Sequence, residues 1–385
     1  MSKLPYFDNA ATTFPKPETV YTFMDKFYRE CGVNVGRGQH RLASVANKLR
    51  EETRELLLSL FHCPAKKVVF THTATEALNI ILQGLGVTNN GTIYLSPFEH
   101  NAVTRTIYHL QSIYKLNVLT LAVDRDSLTY DLEKIKYQFA DNKPNMVVIS
   151  HASNVCGVIA PIKKICELSK KHNAVNIIDM AQTAGLIDTD LSSSVFDFAV
   201  FAGHKTLYAP LGIAGFICSG DVVPKPLIFG GTGTDSANQS LPSEVPEMYE
   251  VASPNIIAIA GLNAALKWIE KTGIDNIYAI EKKNHAELLN ILDSFPNIRV
   301  INSKETERCI GVVSCVFDGY GSDSIGQILS EKDISVRTGL HCAPYAHKFL
   351  DTYPAGTVRF SVSYFNNQDD FDMLGEALRY IADNS

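Results

Sequence analysis

The sequence predicts an α/β protein with a mostly parallel sheet, helices on both its faces, and a smaller α+β unit following it. Three observations predict this. Short apolar or β-branched runs alternate with amphipathic segments between residue 66 and about residue 220. The alternation then stops in a stretch rich in Gly, Ser and Pro. The chain also has 385 residues, more than one ordinary core organises.

The elements follow in order. KKVVFT (66–71) reads as a strand and ATEALNIILQGLG (74–86) as a helix that ends in glycine. TIYLS (92–96) is a strand, HNAVTRTIYHLQSIYK (100–115) a helix, and NVLTLAV (117–123) another strand. NMVVIS (145–150) is a buried strand, followed by PIKKICELSKKH (161–172), a helix with proline near its start. NIID (176–179), FDFAVF (196–201) and GIAGFIC (212–218) complete the series. Residues 228–255 have no period and read as a long loop, a feature that often carries function. Helices are expected near 256–271 and 277–295. The tail mixes strands VVSCVF and TVRFSVS with helices SIGQILSEK and DFDMLGEALRYIAD. The expected division is a large domain over 15–255 and a small α+β domain over 256–385, on which residues 1–14 pack.

Lys plus Arg is 35 and Asp plus Glu is 41, a formal charge of −6, which speaks against nonspecific nucleic-acid binding. No apolar run approaches the ~18 residues of a membrane span, and the N-terminus has no apolar signal core. The eight cysteines form no CxxC pair and read as reduced thiols of a cytoplasmic protein.

Six places carry candidate chemistry. Lys205 lies in VFAGHKTLYAPLGIAGFI (200–217), between two apolar runs. A free lysine titrates near 10.4; burial lowers that and makes the amine a candidate for Schiff-base chemistry with pyridoxal phosphate, although an exposed loop lysine is the common alternative. Asp179 ends a buried strand, where open α/β sheets bind ligands. It reads as a partner for a pyridine nitrogen or as a helix N-cap, with Gln182 close by on a ring oxygen or facing solvent. THTATEAL (71–78) offers a hydroxyl-rich helix start to a phosphate, or a plain cap with Glu76; His100 reads as a ring that stacks on a cofactor or as a structural histidine. Cys342, in SVRTGLHCAPYAH, has His341 beside it and Arg337 nearby, a setting that favours thiolate. A buried inert cysteine is one alternative. A zinc site with His341 and His347 is another, disfavoured because no second Cys/His cluster is present. Arg359, inside a strand-like apolar run, needs an anion, either a substrate carboxylate or an internal acid.

Five segments in order, TATEALN (73–79), SNVCG (153–157), DMAQ (179–182), GHK (203–205) and RTGLHCAP (337–344), resemble cysteine desulfurases of the class V aminotransferase family. The resemblance runs from YFDNAATT (6–13) to TVRFSVSYFNN (357–367), and the short cysteine loop is similar to the SUF-like branch. It implies a fold type I pyridoxal 5'-phosphate enzyme with a mostly parallel seven-stranded sheet. Lys205 is then the Schiff-base lysine, Asp179 the partner of the pyridine nitrogen, and Cys342 the sulfur acceptor. Asn154 and Gln182 approach the ring oxygen and His100 stacks on the ring. Thr73, Ala74 and His204 contact phosphate, and Arg359, with Arg337 and Asn154, holds the substrate. The family is dimeric, and Ser253 is expected to complete the partner's site. The expected partners are L-cysteine or selenocysteine and a sulfur-acceptor protein, without metal, nucleic acid or membrane. Selenocysteine lyase, cysteine sulfinate desulfinase or β-lyase activity on the same scaffold stays open, as does a cofactor-holding sulfur-transfer scaffold. Ala202, Gly36 and Leu340 depart from the family pattern.

Overall fold

The computed structural model describes residues 4–35, 40–86, 89–233, 237–301 and 306–384. Gly36 lies outside them. Helices α1 (Glu18–Cys31) and α2 (Arg41–Leu60) open the chain. The alternating region follows as β1 (Lys67–Thr71), α3 (Ala74–Gly84), β2 (Thr92–Leu95), α4 (Asn101–Ile113) and β3 (Asn117–Thr120). It continues through α5 (Leu132–Asp141), β4 (Met146–Ser150), α6 (Ile162–Lys170), β5 (Val175–Asp179), β6 (Phe198–Ala202) and β7 (Ala214–Cys218). Long helices α7 (Ile256–Thr272) and α8 (Ile274–Asp293) lead to β8 (Ile298–Ile301), β9 (Val312–Phe317) and α9 (Ser322–Glu331). Then come β10 (Arg337–Gly339), α10 (Pro344–Phe349), β11 (Thr357–Ser361) and α11 (Gln368–Asp383).

The large sheet has seven strands in the order β1-β7-β6-β5-β4-β2-β3. From β6 to β3 every pair is parallel, as the strand–helix alternation predicts. β7 is antiparallel to both β6 and β1, because residues 203–213 return the chain without a crossover helix. Helices α3 and α4 pack one face of the sheet, burying Leu78, Ile81, Val103 and Ile107. The other face is covered by α1, α2, α5, α6 and α7, with Leu57, Phe139, Ile165 and Leu262 in its core.

The second sheet, β10-β11-β9-β8, is antiparallel throughout and packs against α8, α9 and α11 around Phe360, Leu288, Ile325 and Leu374. The N-terminal segment joins it: Tyr6 bridges Ser335 and Asp8 bridges Ser361, and Phe7 is fully buried in its core.

Some elements differ from the sequence reading. Helices α1, α2 and α5 have no counterpart in it. The buried face of α2 is made of Ala43, Ala46, Leu49, Thr53, Arg54 and Leu57, and small and polar side chains blur its apolar period. The strand expected over 117–123 ends at Thr120, where the side chain of Gln138 takes over by accepting from Ala122 N and donating to Thr120 O. Among the described residues no helix is long and apolar enough to cross a membrane.

Candidate active site

The carboxyl ends of the parallel strands converge on one cavity of about 280 Å³. β5 ends at Asp179, β6 at Ala202 and β4 at Ser150, all on its wall. The wall also carries Thr73, Ala74, His100, Asn154, Gln182, His204, Lys205, Arg337 and Arg359. Ten of the residues expected from the sequence to act together, Asp179 included, therefore share one wall, although they come from both sheets. Cys342 is not on the wall itself but meets it through Arg337, whose Nη2 lies 3.2 Å from Cys342 Sγ. Ser253 lies elsewhere, lining a separate cavity with Arg50, Phe70, Glu76 and Tyr249.

Lys205 sits on the turn between β6 and β7. Gly203 allows that turn: a Cβ there would stand 2.7 Å from the carbonyl oxygen of Ile213. Burial lowers the Lys205 amine to about 8, with Asp179 opposing and Arg359 and Arg337 assisting. Asp179 is buried, and burial raises its carboxyl; Oδ1 accepts from Ala181 N at 2.9 Å. The aspartate thus caps its own turn, as one sequence reading has it, and also lines the cavity.

His100 caps α4, its Nδ1 accepting from Ala102 N at 3.0 Å. The proton of the neutral ring therefore sits on Nε2. Burial, then Lys205 and the arginines, lower this imidazole to about 4. His204 is lowered to about 4 by burial, Lys205 and Lys16. Thr73 caps α3 by accepting from Glu76 N at 3.1 Å, while Glu76 reaches back to His72 N. Gln182 donates to Ala10 O at 2.9 Å and Asn154 to His341 O at 2.8 Å.

Arg359 is 1% exposed. Its Nη2 donates to Asp8 Oδ1 at 2.7 Å and its Nη1 to Asn154 O at 3.0 Å. Sequence reasoning named an internal acid only as a type; Asp8 is that acid. It also missed Glu99, buried beneath the wall and accepting from Ser150 N at 2.6 Å and Ser150 Oγ at 2.9 Å. The signal was present: a lone acid just after a buried strand, in YLSPFEH. Among the eight cysteines, seven are buried and Cys342 alone is partly exposed. Among the described residues, no cluster of three or more His, Cys, Asp or Glu is placed to hold a metal ion.

The wall suits a planar, anionic ligand. Lys205, Arg337 and Arg359 present three cationic side chains to it, against one buried carboxylate, Asp179. His204 Nδ1 and Arg359 Nε are buried and have no hydrogen-bond partner among the described residues. Such orphaned polar atoms are costly unless a ligand or water pairs with them. The start of α3 at Thr73–Thr75 adds a helix N-terminus suited to phosphate. The residues present therefore fit pyridoxal phosphate together with a carboxylate-bearing substrate.

The aminotransferase class-V family model matches residues 5–374. A probable cysteine desulfurase of Halalkalibacterium halodurans is 31% identical over 98% of this chain and 93% of its own. Another, of Pyrococcus abyssi, is 32% identical over 95% of this chain and 91% of its own. An apo cysteine desulfurase structure from Thermococcus onnurineus superposes with a TM-score of 0.89 at 28% identity, covering 99% of this chain and 95% of that one.

Proposed function

The chain belongs to the aminotransferase class-V family, and from that premise we propose that it is a pyridoxal-phosphate-dependent cysteine desulfurase, converting L-cysteine to L-alanine and leaving the sulfur on Cys342 as a persulfide. The observation that carries this reading is a partly exposed thiol, held by Arg337, beside a cavity lined by a half-buried lysine and a buried carboxylate. Pyridoxal phosphate, when bound, supplies an aldehyde for an amine and a ring that accepts electron density from the substrate α-carbon.

Each residue then has a task. With the cofactor bound, His204, Thr73 and Ala74 would hold its phosphate end, Asp179 would pair with the pyridine nitrogen, Asn154 and Gln182 would serve the ring oxygen, and His100 would cover the ring. Arg359 and Arg337 hold the substrate carboxylate. Lys205, whose amine titrates at about 8, is roughly one-tenth neutral at pH 7 and is poised to hold the α-proton on Nζ. Cys342 Sγ attacks the substrate sulfur. The carbon–sulfur bond breaks, a sulfur–sulfur bond forms, and the Cys342 proton is balanced by the hydrogen gained by the alanine methyl group.

The same reading includes a cytoplasmic homodimer in which Ser253 completes the partner's site. It also includes a protein acceptor for the sulfur, and the two-domain division at residue 255.

The test is alanine formation from L-cysteine with a thiol reductant, comparing wild type with Cys342→Ala. Alanine from wild type alone supports the proposal. Alanine from both would point to lyase chemistry that bypasses the thiol, and alanine from neither would point to another substrate, a required acceptor or the scaffold role.

A further inference from the structure

The carbonyl oxygen of His204, in the peptide that precedes Lys205, accepts from several donors on one short N-terminal segment. Lys16 Nζ is at 2.6 Å and Thr12 Oγ1 at 2.9 Å. Thr13 N is at 3.2 Å. The single hydroxyl proton of Thr13 is shared between this oxygen, at 3.3 Å, and the carbonyl of Lys205, at 2.9 Å. A carbonyl has two lone pairs, so this oxygen is heavily subscribed.

The other attachments of the lysine backbone are local to its own turn, where its carbonyl accepts from Tyr208 N at 2.8 Å. Lys205 lies on a turn, outside any strand or helix. Its own N–H donates to Ala202 O at 3.4 Å, a long contact.

Lys16 is unusual in itself. Its ammonium donates to His204 O and, at 2.7 Å, to Thr13 Oγ1. Among the described residues no carboxylate forms an ion pair with it. Burial alone pushes this amine down to about 7. Holding a partly buried ammonium against neutral oxygens costs free energy that an apolar side chain would not incur. Simple tethering of the N-terminus needs no such charge. The same segment also reaches the far side of the cavity, through the Asp8–Arg359 pair and through Ala10, whose N–H donates to Ser361 Oγ at 2.9 Å.

We propose that Thr12, Thr13 and Lys16 form a backbone clamp that positions Lys205, with the Lys16 ammonium as its charged element. The inference rests on the reading of Lys205 as the reactive amine. These are positioning residues: they grip the peptide of Lys205 and leave its side chain free for the cavity.

Hydrogen–deuterium exchange of the full-length protein, without and with pyridoxal phosphate, reads the clamp directly. In Lys16→Met the amides of 203–208 are expected to exchange about tenfold faster, with β4 and β5 unchanged. Thr12→Val, which keeps the side-chain volume, is expected to give a smaller change at the same place. In the cofactor-loaded protein, the pH midpoint of the lysine-linked absorbance is expected to move by about half a unit in Lys16→Met, and to return toward wild type in Lys16→Arg. Unchanged exchange at 203–208, a rise spread evenly over the whole sheet, or an unmoved midpoint each overturns the clamp. A wild-type protein that never develops this absorbance, while exchange at 203–208 responds as expected, overturns the reading of Lys205 and leaves the clamp standing.

Discussion

Nη2 of Arg337 lies 3.2 Å from Sγ of Cys342, and the two residues are brought together by different devices. Arg337 opens β10, directly opposite Arg359 on β11. Cys342 lies in a loop where it and His341 both have left-handed backbone, with φ of 57° and 47°. Each such residue costs about 1–2 kcal/mol. The loop is held in place from the large-sheet side, by Asn154 Nδ2 donating to His341 O at 2.8 Å and Asn101 N donating to Cys342 O at 2.7 Å. The sulfur is therefore placed by contacts made across the cavity.

Arg337→Gln keeps a donor near the sulfur and removes the charge. Charge-assisted hydrogen bonds are about twice as strong as neutral ones. Alkylation of Cys342 by iodoacetamide at pH 7.5 is expected to slow about fivefold. Peptide mass spectrometry separates this site from the seven buried cysteines. An unchanged rate would mean that the guanidinium does not act on the thiol.

Asp8→Asn tests the other arginine. Arg359 is fully buried, and Asp8 is its acidic partner, itself about one-fifth exposed. Breaking a buried pair costs 3–5 kcal/mol, but solvent at Asp8 screens part of that, and asparagine keeps an acceptor. A loss of about 2 kcal/mol is expected in urea denaturation of the cofactor-free protein. Asp8→Ala, which removes the acceptor as well, is expected to lose more. If both variants matched wild type, Arg359 would be satisfied by Asn154 O alone.

What the sequence revealed follows from range. Lys205, Asp179 and Arg359 are charges set in or at the ends of apolar runs, a local conflict that marks a site. The parallel strands were legible for a similar reason: NMVVIS and NIID are buried on both faces and so read as continuous apolar runs. Asp8 and Lys16 were not legible. Their partners lie 351 and 188 residues away, and such pairings leave no local pattern. The antiparallel course of β7 was hidden because a buried strand reads alike in either direction.

Glu99→Gln carries the pH prediction. Glu99 is fully buried and accepts from Ser150 N and Ser150 Oγ. Burial pushes its carboxyl up to about 8 from the ordinary 4.5; the Asp179 charge adds to this, and the serine hydrogen bonds oppose it. Between about 4.5 and 8 the folded protein therefore holds a proton on this group that the unfolded chain has released. Stability must fall as pH rises through that window. Glutamine stays neutral throughout and keeps an acceptor for Ser150. Relative to Glu99→Gln, the wild type is expected to lose roughly 3 kcal/mol of stability between pH 5 and pH 8. Glu281, which burial also raises to about 8, is present in both proteins, so its contribution cancels in the comparison. Denaturation curves taken at half-unit pH intervals decide the matter. Profiles that stay parallel from pH 5 to pH 8 would show that Glu99 is ionised in the folded protein, and that its charge is balanced beside Asp179 by the two Ser150 hydrogen bonds.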